Sequence, residues 1–238
     1  MKDQGLHIGI IPDGSRRWGM AHNKPADWDG KESGDRAKAI LRHIWKKHPE
    51  ITEVTVWAMS TENFERRNRD KKRVFGLIEN LINDFLGNID TVQKEKIRVN
   101  VFGNKFDEIP QSLMGTIKRS VELTKDNEKL KLNIGLGYGG KYEIVAAAVN
   151  LAKKINERSL IKNLKDMSEK VFERFLMVPR PLDLIIRTGG EKRLSGFMLY
   201  QAEYAELFFV DTLWPDFSTR EFDMIMDDFR KRERRFGK

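Results

Sequence analysis

Five or six short β-rich runs, interleaved with longer stretches of helical periodicity, predict an α/β domain with a mostly parallel sheet covered by helices on both faces. Two further observations bound that prediction. The chain has 238 residues and a mass of 27.8 kDa, enough to bury a substantial core, and a single domain spanning 1–238 is expected. No repeat period and no low-complexity segment divides it. Charged residues make up 34% and the mean hydropathy is −0.57. No apolar run approaches the ~20 residues that a bilayer crossing requires, so no transmembrane segment is expected.

The strands are legible in chain order. His7–Ile11 is a compact apolar run that ends at the turn-forming Pro12-Asp13-Gly14. Because no basic stretch precedes an apolar one there, this start is unlike a signal peptide. Val54–Met59 (VTVWAM) is a second apolar run, and Ile97–Phe102 (IRVNVF) alternates apolar with polar. Leu130–Ile134, Leu182–Ile186 and Leu207–Val210 complete the set. Between them Lys31–Lys47, Lys71–Phe85, Gln111–Thr124, Tyr142–Asn156 and Ser168–Leu176 space apolar residues three and four apart, as helices do. Lys71–Phe85 carries a wide apolar stripe of Val74, Leu77, Ile78, Leu81, Ile82 and Phe85. That stripe serves either core packing or one wall of an apolar tunnel beside the sheet. The final stretch Asp228–Lys238, with its RKRERR, is expected to be an exposed helix end or tail.

Charge and side-chain chemistry narrow the function classes. Lys and Arg number 44 against 36 acids, a formal +8 with a pI near 9.5, which calls for an anionic partner. A nucleic-acid binder is not expected, because the basic residues are spread among acids rather than massed on one helix. Trp18, Trp28 and Phe64 read better as core or substrate walls than as base-stacking platforms. There is no cysteine, which excludes disulfides and thiolate metal sites and fits a reducing, cytoplasmic setting. The four histidines show no ligand spacing, so a zinc site is not expected.

In an open α/β sheet, ligands sit beyond the carboxyl ends of the strands. Asp13-Gly14-Ser15-Arg16-Arg17-Trp18 follows the first run. It offers a carboxylate for a divalent cation, guanidiniums for phosphate oxygens, and a glycine that admits close backbone approach. An ordinary turn with a solvated arginine pair would account for it equally. Ser60-Thr61-Glu62-Asn63-Phe64-Glu65-Arg66 follows the second run and reads as polar anchors beside an aromatic, or as a helix cap. Gly135–Gly140 (GLGYGG) follows the fourth as a glycine-rich loop. Arg187-Thr188-Gly189-Gly190-Glu191-Lys192-Arg193-Leu194-Ser195 follows the fifth, and Arg187, Arg193 and Ser195 could together grip a diphosphate. Glu206, lodged between Ala205 and the apolar Leu207–Val210, is expected to be paired or to bind a cation. Each motif is modest alone; four strand ends with the same character are not.

IPDGSRRW, MSTENFERR, NIGLGYGGKYEI, the run from Asp183 to Phe209, LWPDF and the terminal RERRFG together resemble the cis-prenyltransferases of the undecaprenyl diphosphate synthase type. The resemblance runs from His7 to Gly237. It implies a homodimer whose protomer has a six-stranded, mainly parallel sheet, surrounding helices and an apolar product tunnel. It implies Mg²⁺-dependent condensation of isopentenyl diphosphate with an allylic diphosphate to form a Z double bond. By similarity Asp13 is the magnesium-linked acid, and Glu206, from the partner subunit, completes the metal site. Gly14, Ser15, Arg16, Arg17 and Lys31 fall in the allylic diphosphate site, with Trp18 beside the chain. Ser60, Thr61, Glu62, Asn63, Phe64 and Arg66 position substrate, with Asn63 as a proton acceptor. Arg187, Arg193, Leu194 and Ser195 match the isopentenyl site, and RERRFG reaches across the dimer. Peripheral membrane contact is expected for a long product.

The resemblance breaks at three points, all in the allylic site. Ser15 stands where the family reads Asn, Lys31 where it reads His, and Lys24–Asp29 (KPADWD) lacks the family's arginine. Ser15 reaches less far than Asn, and Lys31 is a poor proton donor near neutral pH compared with His. These changes admit two readings: tolerated drift, or a different first substrate with a short or irregular product built from two C5 units. A reading of another class is a silent accessory subunit of a heteromeric enzyme, against which both diphosphate sites and the metal acids stand complete.

Overall fold

The structure, a computed structural model, describes residues 5–25, 28–65, 68–156 and 167–233. Its six strands are β1 (Leu6–Ile11), β2 (Ile51–Ser60), β3 (Ile97–Phe102), β4 (Leu130–Tyr138), β5 (Leu184–Arg187) and β6 (Glu206–Phe209). They form one sheet in the order β3-β4-β2-β1-β5-β6. Every neighbouring pair is parallel, so the sheet is entirely rather than mainly parallel. The chain order alone brings this about, since each strand is followed by a crossover long enough to return to the same end of the sheet.

The helices are α1 (Ser15–Ala21), α2 (Lys31–Lys47), α3 (Asn68–Gly87), α4 (Ile89–Lys94), α5 (Gln111–Thr124), α6 (Gly140–Asn156), α7 (Glu169–Glu173) and α8 (Thr219–Lys231). α2 and α5 match the sequence expectation to the residue. The residues from Asp228 to Lys231, expected as a helix end or tail, are the last turn of α8, a helix whose body the sequence periodicity did not single out. That helix starts at a capping box, in which Ser218 Oγ accepts from the Glu221 amide and the Glu221 carboxylate accepts from the Ser218 amide. It buries Phe222, Ile225, Met226 and Phe229, spaced i, i+3, i+4, i+7, against α2 and the sheet.

GLGYGG is a second correction. Gly135 to Tyr138 continue β4 rather than forming a loop, because β2 is irregular opposite them between Trp57 and Ser60 and accommodates the small residues. Only Gly139 stands between β4 and α6, which begins at Gly140.

Alternate residues of the central strands face opposite cores. Ile8, Ile10, Leu184 and Ile186 pack with α2 and α8, while Ile11 and Ile185 pack with Leu182, Phe197 and Met198 on the other face. A buried polar ladder crosses the sheet centre. His7 Nε2 lies 2.7 Å from Thr55 Oγ1, and Asn133 Nδ2 donates to Glu53 (2.8 Å) and Thr55 (3.1 Å). Arg180 faces Glu53 at 3.4 Å.

Burial is the largest influence on His7 and holds its pKa below the usual 6.5, against the raising effect of Glu53. The native state keeps this ring neutral while the unfolded chain takes up a proton below pH 6.5. Its contribution is therefore complete above that pH and lost as pH falls. Denaturant unfolding followed from pH 7 to 5 is expected to show a slope from this residue of up to about 1.4 kcal/mol per pH unit. His7→Gln should flatten that part of the profile.

Candidate active site

Because all six strands run the same way, the segments after β1, β2, β4 and β5 emerge at one edge of the sheet. Ile11 of β1 is in register with Arg187 of β5, which places the Asp13 turn beside the start of the Arg187–Ser195 loop. Arg187 is buried, 6% exposed. Its Nη2 donates to Asp13 Oδ2 at 2.9 Å, and its Nη1 donates to Ser195 Oγ at 2.9 Å and to the Arg193 carbonyl. Among the described residues, Arg187 Nε has no hydrogen-bond partner. A buried guanidinium N–H left unpaired is expensive, and an anion of the site would satisfy it.

The second cation on Asp13 is looser. Arg17 Nη2 lies 3.4 Å from Asp13 Oδ1 and half of its side chain faces solvent. Arg16, Lys31 and Arg193 are exposed at the same rim, Arg193 paired with Glu191. Ser15 is half-buried, and Leu194 packs onto the core beneath.

Backbone geometry explains the glycines. A Cβ on Gly189 would stand 2.6 Å from Arg17 Nη2 and 3.1 Å from the Asp13 carbonyl carbon, so only glycine lets the two loops meet. Gly189, Gly190, Ser195, Gly196 and Met198 all have positive φ. At Ser195 and Met198 this is strained, at on the order of 1 kcal/mol or more each, and such strain gathers where function fixes the backbone.

The WPDF motif holds the Asp13 turn in place, a role the sequence did not disclose. The Trp214 amide donates to the Asp13 carbonyl (3.0 Å), and its indole donates to the Ser33 carbonyl at the start of α2 (3.0 Å). Asp216 accepts from Trp18 Nε1 at 2.8 Å. Trp18 is buried in a stack with His22 and Trp28, at 3.9 and 5.6 Å between ring centres, so it forms a wall rather than an exposed contact. The chemical signal was present, since both Trp N–H groups must find acceptors when buried.

Ser60 to Glu65 forms a short 3₁₀ turn from Thr61 after β2. Burial opposes ionisation of Glu62, yet backbone bonding and the Ser60 and Thr61 hydroxyls outweigh it and keep the carboxyl below its usual range. Asn63 is half-buried at the same turn, and Phe64 is buried against Phe75. Arg66 lies outside the described residues.

Beneath this turn the sheet and the helices α2, α3 and α4 line a half-open cavity of about 560 Å³. Ala58 and Ile78 line it toward the turn, Leu41, Leu81, Ile82 and Phe85 along its length, and Trp45 and Val92 toward the far end. The apolar stripe of α3 is thus a cavity wall as well as core.

Glu206 does not join Asp13 within one protomer. It opens β6 in register with Leu184, whereas Asp13 lies beyond the other end of β1, next to Arg187. Glu206 Oε2 instead accepts from Arg232 Nη1 at 2.7 Å, and Arg232 also reaches Asp228 and lies 3.8 Å from the Phe208 ring centre. Of the terminal RERRFG, only Arg232 and Glu233 fall within the described residues.

Basic, glycine-rich loops at one edge of a parallel sheet, with an apolar chamber beneath them, are the frame of this molecule. Residues 11–237 match the family model described as "Putative undecaprenyl diphosphate synthase". The chain is 38% identical over 235 residues to the tritrans,polycis-undecaprenyl-diphosphate synthase (geranylgeranyl-diphosphate specific) of Pyrococcus horikoshii, covering 98% of this chain and 86% of that protein. It is 37% identical over 233 residues to the ditrans,polycis-undecaprenyl-diphosphate synthase ((2E,6E)-farnesyl-diphosphate specific) of Photorhabdus laumondii, covering 97% and 89%. The crystal structure of lavandulyl diphosphate synthase from Lavandula x intermedia, in complex with dimethylallyl diphosphate, superposes with a TM-score of 0.86 at 30% identity over the whole of both chains. This chain belongs to the undecaprenyl diphosphate synthase family of cis-prenyltransferases. As a prenyltransferase it is not explained by a silent accessory role.

Asp13→Asn keeps the shape of the side chain but removes the charge facing Arg187. It is expected to lower kcat about 10²–10³-fold or more with native-like circular dichroism. A loss smaller than tenfold in steady-state assays would exclude Asp13 from the chemistry.

Proposed function

We propose that the chain condenses isopentenyl diphosphate with an allylic diphosphate through repeated cycles, extending a Z-polyprenyl diphosphate into the cavity. The observation that carries this reading is Arg187, buried and unpaired at Nε, set between Asp13 and Ser195 at the rim.

In each cycle the allylic C1–O bond breaks and diphosphate leaves with the electron pair. The isopentenyl double bond bonds to C1, and C2 of that unit loses a proton. Arg187, Arg193 and Ser195 bind the isopentenyl diphosphate, with Leu194 beneath it. Gly14, Ser15, Arg16, Arg17 and Lys31 bind the allylic diphosphate, whose growing negative charge the guanidiniums stabilise more than they stabilise the ground state. Thr61, Glu62 and Phe64 shape the passage from rim to cavity, and Ser60 and Arg66 belong to the same passage. Asn63, half-buried at the turn, orients the carbon that loses its proton, and the proton passes to the released diphosphate because a neutral amide is too weak a base to hold it. Dry apolar walls keep water from quenching the electron-poor carbon.

The donor set suits a hard cation: Asp13 is a partly exposed carboxylate whose Oδ1 makes only a long contact to Arg17. Mg²⁺ held there would neutralise the departing diphosphate. Glu206 from a second copy would supply the other carboxylate, because its own protomer holds it at the far end of the sheet. A homodimer follows. Tyr142, Val145 and Val149 are 48%, 62% and 48% exposed and share one face of α6, which we assign to the second copy.

The chamber is far larger than two C5 units need, which supports a long product over an irregular short one, and so Ser15 and Lys31 read as tolerated replacements. No helix among the described residues is long and apolar enough to cross a membrane. At the mouth of the cavity Lys38 and Arg42 share Asp84 and Lys46 is exposed beside them, a modest basic excess for anionic headgroups, and a cytoplasmic enzyme touching the membrane surface is the setting we propose.

Incubation with Mg²⁺, isopentenyl diphosphate and farnesyl or geranylgeranyl diphosphate is expected to give long-chain products; only C10 material from dimethylallyl diphosphate would overturn the reading. Trp45→Ala should lengthen the product by opening the far end, and Ala37→Phe should shorten it, both read by thin-layer chromatography. Val145→Glu with Val149→Glu should convert a dimer to a monomer in light scattering, with activity lost alongside.

A further inference from the structure

We propose that His43, His48 and Asp223 form a binding site for one borderline transition-metal ion of the Zn²⁺ class, clamping the end of α2 to α8. The histidines are five apart and look unrelated in sequence. His48 is the residue after the last turn of α2, and its non-helical backbone (φ −125°, ψ 67°) turns its ring back toward His43. Both Nε2 atoms then converge on one carboxylate oxygen of α8: Asp223 Oδ1 lies 2.6 Å from His43 Nε2 and 2.8 Å from His48 Nε2. All three ligand atoms lie within 4.8 Å of one another. Around a tetrahedral zinc such donors sit about 3.3 Å apart, by the usual bond lengths of about 2.0–2.2 Å, so the carboxylate oxygen must draw back from the two nitrogens by roughly half an ångström or more for the ion to enter. Asp223 is 45% exposed, which leaves a path for the ion and room for a water as fourth ligand.

The surroundings are those of a held ligand set. Both rings stand edge-on to Phe222, at 6.3 and 5.2 Å, which fixes their orientation. His48 Nδ1 lies 3.4 Å from Glu50 Oε1, the carboxylate that would accept its N–H once Nε2 ligates. One group opposes this. Arg230 Nη2 lies 3.0 Å from the same Nδ1 and, as a donor, favours the tautomer whose Nε2 carries the proton. Arg230 also pairs with Glu50 and with Asp227, so it has other partners when displaced. Its two imidazole nitrogens distinguish this site from the lone carboxylate ligand offered by Asp13, and they select for softer ions than Mg²⁺. The opposite face of α2, through Ala37, Leu41 and Trp45, lines the cavity, so an ion here would brace that wall.

The test uses the full chain, freed of any affinity tag and stripped of metal, in excess Mg²⁺. Zn²⁺ is titrated against a chromophoric chelator, and Co²⁺ binding is followed by its absorption. One Zn²⁺ per chain and intense tetrahedral Co²⁺ bands are expected. His43→Ala and Asp223→Asn, both partly exposed positions, should each weaken Zn²⁺ binding at least about tenfold while prenyl transfer proceeds at the wild-type rate. Arg230→Met should tighten it. Failure to compete with the chelator, octahedral Co²⁺ spectra, or unchanged affinity in both ligand variants would overturn the site. Weaker binding in Arg230→Met would overturn the tautomer argument.

Discussion

A positive charge buried at the end of a parallel sheet governs this molecule. Arg187 closes β5 with almost no solvent around it, and a guanidinium there is tolerable only where a counter-charge and acceptors meet most of its N–H groups. Asp13 supplies the compensating charge, Ser195 and the Arg193 carbonyl supply acceptors, and one N–H is left over. Each partner imposes a condition on the chain. Asp13 must sit one turn past β1, the 189–198 loop must double back with several residues at positive φ, and Gly189 must stay bare where the loops touch. The Trp214 amide then secures the Asp13 carbonyl from a third direction. The rim is preorganised because the fold cannot relax without exposing this charge to an apolar core.

The second constraint is the opposite chemistry a few residues away. β2 carries Val56 and Ala58 into the cavity and Ser60 to the rim, so one strand passes from grease to polar loop within a few residues. A helix pair packed tightly over this part of the sheet would have filled the space. Small residues at Ala37 and Ala58, facing larger ones at Ile78 and Phe85, leave it open instead. The cavity therefore survives as a compromise between sealing apolar surface and holding a chain that arrives from the rim.

Much of this was legible in the residues. The strand runs, the near-exact bounds of α2 and α5, and the polar character of four strand ends follow from local periodicity and turn chemistry. Asp13, Arg187 and Ser195 announced themselves as charge and hydroxyl beside glycine after apolar runs. What failed did so for definable reasons. GLGYGG looked like a loop because glycine disfavours strands, yet irregular pairing with β2 and close rings from Phe102 and Trp57 made the small residues necessary. The body of α8 went unrecognised because charge on its outer face hid the apolar stripe of Phe222, Ile225, Met226 and Phe229.

By itself, then, the sequence determined the class of fold and the gathering of acids, guanidiniums and hydroxyls at the strand ends, because periodicity, turn propensity and side-chain chemistry act over a few neighbouring positions. Only the tertiary structure decided which of those residues meet. It joined Asp13 to Arg187 across 174 positions, separated Glu206 from both, and brought His43, His48 and Asp223 to one point. Such meetings depend on strand order and on the angles at which helices cross the sheet, quantities set by the packing of the entire core rather than by any local stretch of chain.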